Sequence, residues 1–359
     1  MADERQKEVW ILGATGRVGQ AVAERLSRQS GLPLVLVGRN RSALNRLAER
    51  LESGVRVLHL DEFSAMVDAV RHERPQVVIN LLGSYASTAP SLARACMPGG
   101  AYVDLANDLG ALETLVGMHD EAAQSRATLI SGAGFGVLAT EAVVAHLCAG
   151  RSVPAHVRVD ALGSSAAFDG VMGEAFAQTA ADVIITGGRS YRDGRLVPIR
   201  LGSNVQHLTL PDGATVTSAA VPSGELFAAR RTSGAPNVDF TSALAPTAPV
   251  MRAVLPTMTR MLRVPSIRRM MVTQMANSTT KAAPRPRPHS WGHAVVTWSD
   301  GAVLEGWLRT GDAMDFTADA LTAVTMAIGK GGAPHGAFTP AAAFGVEIAV
   351  EAGGTLIDR

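Results

Sequence analysis

The sequence predicts an α/β protein: a parallel sheet with helices on both faces, followed by a second, mixed α/β domain. Three observations lead there. Short apolar runs alternate with helix-period segments over the first 131 residues. Three glycines, each three residues after the last, close the first run and open a helical pattern. Beyond about residue 150 the texture changes to alternating strands joined by Asp-Gly turns.

The elements follow in order. Strands are expected over Val9–Leu12, Leu34–Val37, Val55–Leu60, Val77–Leu82, Ala101–Leu105 and Thr128–Ser131. The intervening segments carry helical spacing: Val18, Val22 and Leu26 at i, i+4, i+8, then Leu44, Leu47 and Leu51 at i, i+3, i+7. In the second half, "VRVDALGSS" reads as a strand and "GEAFAQTAADVI" as a helix. Two hairpins turn on Asp212-Gly213 and on Asp300-Gly301. Residues 281–290, "KAAPRPRPHS", are too proline-rich for either element and read as a loop.

Composition narrows the function. The 359 residues are 47% hydrophobic, enough for more than one domain, and the net charge of +1 argues against nucleic acid as a partner. Two cysteines without metal-type spacing suit a cytoplasmic protein. The charged start, "MADERQKEV", has no apolar leader, and no run is long enough to span a membrane. His289 and His293 lie in a loop entering a strand with no neighbouring carboxylate, and HExxH is absent, so no metal is expected.

The first glycine cluster carries a specific chemistry. Gly13 permits the tight turn, Gly16 lets the backbone approach a pyrophosphate, and Gly19 lets the helix pack close to the strand. The expected dinucleotide cradle is Gly13, Ala14, Thr15, Gly16, Arg17, Val18 and Gly19. At the end of the second strand, where an NAD site places an acid, stand Gly38, Arg39 and Asn40. An arginine meets a 2′-phosphate, so NADP is the expected cofactor. The carboxyl end of the fourth strand offers Asn80, Leu82, Gly83, Ser84 and Tyr85 to the nicotinamide half, the fifth offers Asp104, Asn107 and Asp108, and the sixth offers Gly134 and Phe135. Tyr85 and Asp108 are the candidate catalytic residues. Tyr85 would donate a proton, orient substrate, or simply pack as a lid, and Asp108 would act in the chemistry or cap the following helix.

These segments together resemble the saccharopine-dehydrogenase-like reductases, and within them the bacterial trans-acting enoyl reductases. The resemblance rests on "GATGRVG" at 13–19, "GRN" at 38–40, "GSY" at 83–85, "GGAYVDLAND" at 99–108 and "GAGFGVLATE" at 132–141. Looser motifs follow at 191–197, 210–216, 233–240 and 336–345. The family's proline before the tyrosine is Ser84 here, and its frequent "GE" after "YVDL" is "AND". The resemblance implies a Rossmann-type NADP-binding domain over residues 1–137 and an inserted α/β substrate/dimerisation domain over 138–325. Residues 326–359 then return to the first domain. With the apolar hairpin around Trp291, Trp298 and Trp307, it also implies a homodimer.

NADPH delivers hydride, and the acceptor sets the demand for a proton. An imine needs little help, an enoyl thioester needs a proton at its α-carbon, and a ketone needs a strong donor. The Tyr/Lys pair that would serve a ketone is absent, since four residues beyond Tyr85, Tyr102 and Tyr191 stand Ala89, Ala106 and Arg195. The expected activity is therefore NADPH-dependent reduction of an imine or an enoyl bond, in a small-molecule substrate or one tethered to an acyl carrier protein. The alternative is a non-catalytic NADP-binding sensor or partner-binding protein. Residues 246–271 carry five arginines and no acid, with Met251, Val254, Leu255, Met258 and Leu262 on one helical face. Pro256 and Pro265 should break or kink this segment into short helices.

Overall fold

The computed structural model describes residues 6–29, 31–51, 54–167, 169–171 and 174–358. Residues 1–5, part of the charged start, and Gly173, the first residue of the helix expected at "GEAFAQ", lie outside them. The chain forms two units: residues 1–138 with 314–353, and 139–313 with 354–359.

The first unit runs β1 (Gln6–Leu12), α1 (Arg17–Gln29), β2 (Leu34–Gly38), α2 (Arg41–Ala48), β3 (Val55–His59), α3 (Phe63–Glu73), β4 (Pro75–Asn80), α4 (Tyr85–Cys96), β5 (Ala101–Asp104), α5 (Leu109–Val116), α6 (His119–Gln124) and β6 (Thr128–Ile130). Helix α7 (Phe135–Cys148) carries the chain into the second unit. There follow β7 (His156–Leu162), β8 (Gly170–Val171), α8 (Glu174–Thr186), β9 (Gly188–Arg192), β10 (Arg195–Ile199), β11 (Gln206–Thr209), β12 (Thr215–Ala220), α9 (Gly224–Ser233) and β13 (Asn237–Ser242). Next come α10 (Pro249–Leu262), α11 (Pro265–Ala276), β14 (Thr279–Thr280), β15 (Ser290–Thr297) and β16 (Val303–Thr310). Helix α12 (Ala313–Gly329) leads back to β17 (Gly336–Phe338), α13 (Pro340–Phe344) and α14 (Glu347–Glu351), and β18 (Thr355–Asp358) ends the chain.

The first sheet is parallel throughout, in the order β17-β6-β5-β4-β1-β2-β3. All six strands expected from the apolar runs are present. Their continuous hydrophobicity is what burial on both faces requires. Val9, Trp10, Ile11 and Leu12 are all fully buried. On one face Trp10, Val35, Val37, Val78 and Leu129 pack with Met66 and Val70 of α3 and with Leu92 and Cys96 of α4. Each such side chain contributes about 1.5–3 kcal/mol by leaving water.

The second sheet has the path β10-β9-β13-β7-β15-β16-β18, with β12 also paired to β13. Both expected hairpins form, β11–β12 and β15–β16. One face of the sheet lies against α7, and glycines make the approach possible. A Cβ on Gly292 would lie 2.6 Å from the Ala139 backbone, and one on Gly306 would lie 3.1 Å from Leu147.

Several expectations change. His293 lies not in a loop but buried within β15, with Asp160 Oδ2 at 2.7 Å and Glu305 Oε1 at 3.1 Å. The return to the first unit begins at Met314 rather than at 326, and the last residues do not stay there. β18 pairs with β16 in the second sheet, where backbone hydrogen bonds hold it. Trp291, Trp298 and Trp307 are buried within their own unit, at 1%, 6% and 1% exposure, and offer no apolar surface to a second copy; Trp291 and Trp307 pack with Leu162, Leu210 and Val216, and the Trp298 indole donates to the Ser152 carbonyl at 2.8 Å. Helix α10 continues through position 256. A proline inside a helix costs a hydrogen bond and kinks it, but Leu255, Thr259 and Leu262 dock this helix, with the Thr259 hydroxyl donating to the Ile184 carbonyl at 3.0 Å. Pro265 stands at the start of α11, where its missing N–H is no loss.

Candidate dinucleotide site

In the first sheet the strand order 3-2-1-4-5-6 reverses between β1 and β4, so the crevice lies outside their carboxyl ends. The loop from Gly13 to Gly16 fills the step from β1 to α1. Gly13 has φ +80°, and a Cβ there would meet the Leu81 carbonyl at 2.8 Å. A Cβ on Gly19 would lie 2.6 Å from the Gly13 carbonyl. Only glycine fits at both positions. Gly16 and Arg17 are exposed, and the first turn of α1 has no acidic residue. The positive end of α1, free of any acidic side chain, favours an anion here. Ala14 is buried beneath the loop, and the Thr15 carbonyl accepts from the Gln20 side chain at 2.8 Å.

At the end of β2, Gly38 closes the strand and Arg39 is exposed, with no ion pair to its side chain among the described residues. Its carbonyl meets His59 Nε2 at 2.9 Å. Asn40 caps α2, its side chain accepting from the Ala43 N–H at 3.0 Å. This end of the crevice therefore presents a guanidinium and no carboxylate from the strand. The residues fit a dinucleotide with a phosphate on its adenosine ribose.

At the end of β4 the chain turns through Gly83 at φ +74° and Ser84 at φ +45°. Proline is locked near −65° and could not take Ser84's conformation, so this turn differs from one built with the family's proline. Tyr85 begins α4, half-buried. Burial pushes its phenol far above the ordinary range, and the charge of Asp104 adds to this against a backbone hydrogen bond with Leu105.

A buried polar cluster lies under this end of the sheet. Asn80 Nδ2 donates to the Tyr102 hydroxyl at 2.9 Å and to Thr88 Oγ1 at 3.1 Å, and its Oδ1 accepts from the Leu82 N–H. The Tyr102 hydroxyl donates to Asp104 Oδ2 at 2.9 Å. Asp104 Oδ1 accepts from Ser131 Oγ at 2.8 Å and from the N–H groups of Ala106 and Gly132 at 3.0 and 3.1 Å. Asp104 is fully buried, and burial pushes its carboxyl up against the pull of those hydrogen bonds. The cluster ties the ends of β4, β5 and β6 together and fixes the loops that follow.

The remaining expected residues fall around it. Asp108 is exposed and is the N-cap of α5, its Oδ1 accepting from the Ala111 N–H at 2.8 Å. The Phe135 N–H donates to Thr317 Oγ1 at 3.1 Å, and Gly134 also faces Thr317, so α12 buttresses this loop. Sequence reasoning missed Tyr102 and Ser131 as members of the site. One signal was available: Tyr102 and Asp104 stand at i and i+2, so both point to one face at the end of a buried strand.

No helix among the described residues is long and apolar enough to cross a membrane, and among them no cluster of three His, Cys, Asp or Glu could hold a metal ion. The glycine loop, strand order and crevice define a dinucleotide-binding unit of the Rossmann class. Residues 9–130 match the family model of the saccharopine dehydrogenase NADP-binding domain. The whole chain has the fold of saccharopine dehydrogenase (L-Glu forming) from Saccharomyces cerevisiae, with a TM-score of 0.60 and 14% identity over 98% of this chain and 99% of the yeast chain. An uncharacterized oxidoreductase of Staphylococcus epidermidis is 39% identical over 61 residues, 17% of this chain and 26% of its own length. A Mycobacterium tuberculosis protein named as a trans-acting enoyl reductase is 27% identical over 175 residues, 47% of this chain and 38% of its own length. The matched segments thus span well under half of these curated relatives.

Proposed function

We propose that the chain is an NADPH-dependent reductase acting on a C=N or activated C=C bond of a small or carrier-tethered metabolite. The observation that carries the reading is the acid-free end of β2, where exposed Arg39 stands beside a crevice otherwise built for a dinucleotide. Bound NADPH would supply hydride. Gly13, Gly16 and the start of α1 would hold its pyrophosphate, and Arg39 its 2′-phosphate. Leu82, Gly83, Ser84, Gly134 and Phe135 would line the crevice toward the nicotinamide.

The environment of Tyr85 suits positioning better than proton donation. A phenol pushed far above its ordinary range gives up its proton reluctantly, yet remains a hydrogen-bond donor. No lysine stands four residues on to reverse that. This favours acceptors that ask little of a protein acid, an imine foremost. Asp108, committed to its helix cap, takes a structural role in this reading.

The test is binding and turnover. NADPH should bind in clear preference to NADH, and cofactor absorbance should fall on adding a cyclic imine or an enoyl thioester. Arg39→Ala should weaken NADPH binding by about ten- to a hundredfold and leave NADH binding nearly unchanged. Equal binding of both cofactors by the wild type would overturn the cofactor assignment. NADPH bound but never consumed across both substrate classes would favour a sensor.

A further inference from the structure

The arginine-rich segment flagged by the sequence forms α10 and α11, and its exposed side is more informative than its buried one. On the buried side Leu255 and Leu262 are 5% and 2% exposed, and Leu262 packs with Ala177 and Ala181 of α8 and Val272 of α11. A second stripe faces solvent. Val250, Val254, Thr257 and Met261 stand at i, i+4, i+7 and i+11, and all four are exposed, Val250 at 78%. Val264, just past the helix, continues the alternating steps of four and three and is also exposed. Seven of the eleven exposed large hydrophobic residues among those described fall between Leu244 and Met270. Steps of four and three are the spacing of a seam that receives another helix.

Charge says which helix. Residues 240–299 contain eight Lys and Arg and no Asp or Glu. Arg260, Arg263 and Arg269 are exposed and make no ion pair among the described residues. Arg268 meets Asp182 of α8 at 2.5 Å. Arg260 flanks the exposed stripe on α10, about 80–100° around the helix from it.

We infer that the exposed stripe of α10 is a docking site for an acidic amphipathic helix of a partner protein. Apolar residues at the partner's own four-three spacing would enter the Val250, Val254 and Met261 seam. Asp or Glu beside them would face Arg260. A second copy of this chain fits poorly, because it would bring the same arginines against these. A lipid surface also fits poorly: the stripe is Val, Val, Thr and Met, without the Trp, Phe or Leu that anchor a helix in a membrane interface. The inference does not depend on the proposed reductase activity.

The probe is a designed three-heptad helical peptide with leucines at four-three spacing and flanking glutamates, labelled for fluorescence anisotropy and titrated with the full chain. The acidic peptide should bind, and a control with flanking lysines should bind at least tenfold more weakly. Raising salt should weaken the acidic complex. Val254→Ser with Met261→Ser should abolish binding without changing the thermal midpoint, since both side chains are exposed. Arg260→Glu should cost several-fold. No preference for the acidic peptide, or unchanged binding by the Val254/Met261 variant, overturns the inference. So does co-sedimentation with phosphatidylglycerol vesicles that the Val254/Met261 variant loses, which assigns the stripe to a membrane. Light scattering that shows self-association lost in the same variant assigns it to a second copy and likewise overturns the proposal.

Discussion

Asp104 in the first unit and Asp239 in the second are both buried on strands, both accept several hydrogen bonds, and are driven in opposite directions. Asp104 has only neutral partners: two backbone N–H groups, a serine and a tyrosine. Burial wins there, and its carboxyl is pushed up. Burial pushes Asp239 up as well, but His156 at 2.9 Å, Arg192 at 2.7 and 3.0 Å and Ser190 at 2.8 Å outweigh it and hold the carboxyl far below the usual carboxylate range. The shell, not the burial, decides the outcome. Asp239, His156 and Arg192 clasp β7, β9 and β13 on the body of a sheet. Asp104 sits at strand ends, where its hydrogen bonds shape the loops of the crevice. The first arrangement serves a fold and the second serves a site.

Removing each carboxylate should break the comparison most visibly. Asp104→Ala leaves four donors without their acceptor, two of them backbone N–H groups that cannot turn away, and should cost about 3–4 kcal/mol. Asp239→Ala leaves Arg192 and His156 with access to water and should cost less, about 2 kcal/mol. Chemical denaturation measures both. NADPH binding, followed by nicotinamide fluorescence, should fall in the Asp104 variant and stay at the wild-type level in the Asp239 variant. An equal loss of binding in both would end the distinction between site and clasp.

A pH series sharpens it. Asp104 has a raised carboxyl in the folded protein, so its stability contribution is fully present below the unfolded value of about 3.9 and is lost as pH rises through the folded one. Asp239 has a lowered carboxyl, so its contribution is present above about 3.9 and is lost as pH falls toward the folded value. Lowering pH from 7 toward 4 should therefore raise wild-type stability relative to Asp104→Asn, whereas wild type should lose its advantage over Asp239→Asn only below about pH 4. Curves for the two variants that track each other would refute the opposite shifts.

The smallest effect concerns Tyr85, which shares the Asp104 environment. If the phenol positions rather than donates, Tyr85→Phe should lower kcat only a few-fold and leave the pH profile of kcat unshifted. A loss of a hundredfold or more would instead make it the proton donor.

Much of the first unit was legible because its signals are local. Continuous apolar runs specify strands buried on both faces, and Gly13 and Gly19 stand where a Cβ has no room. Asp300-Gly301 marks its hairpin for the same kind of reason: the turn needs a positive φ, and Gly301 supplies +90°. Arg39 was readable by position alone, since the end of the second strand is set once the strands are.

Other features depend on contacts between residues far apart in the chain. Nothing near residue 355 announces that β18 will pair with β16, because an edge strand is chosen by the sheet it joins. Pro256 reads as a break or a kink, and docking on α8 decides that the helix runs through it. Tyr102, Asp104 and Ser131 are ordinary polar residues until β5 and β6 lie side by side and bring their side chains within hydrogen-bond reach. The sequence by itself determined where the chain turns, which runs are buried and where a phosphate would meet a helix N-terminus, because backbone sterics and hydrophobic periodicity act over a few residues. Tertiary structure alone decided which carboxyl is pushed up and which is held down, and which strand closes the second sheet, because desolvation and pairing depend on everything packed around a group.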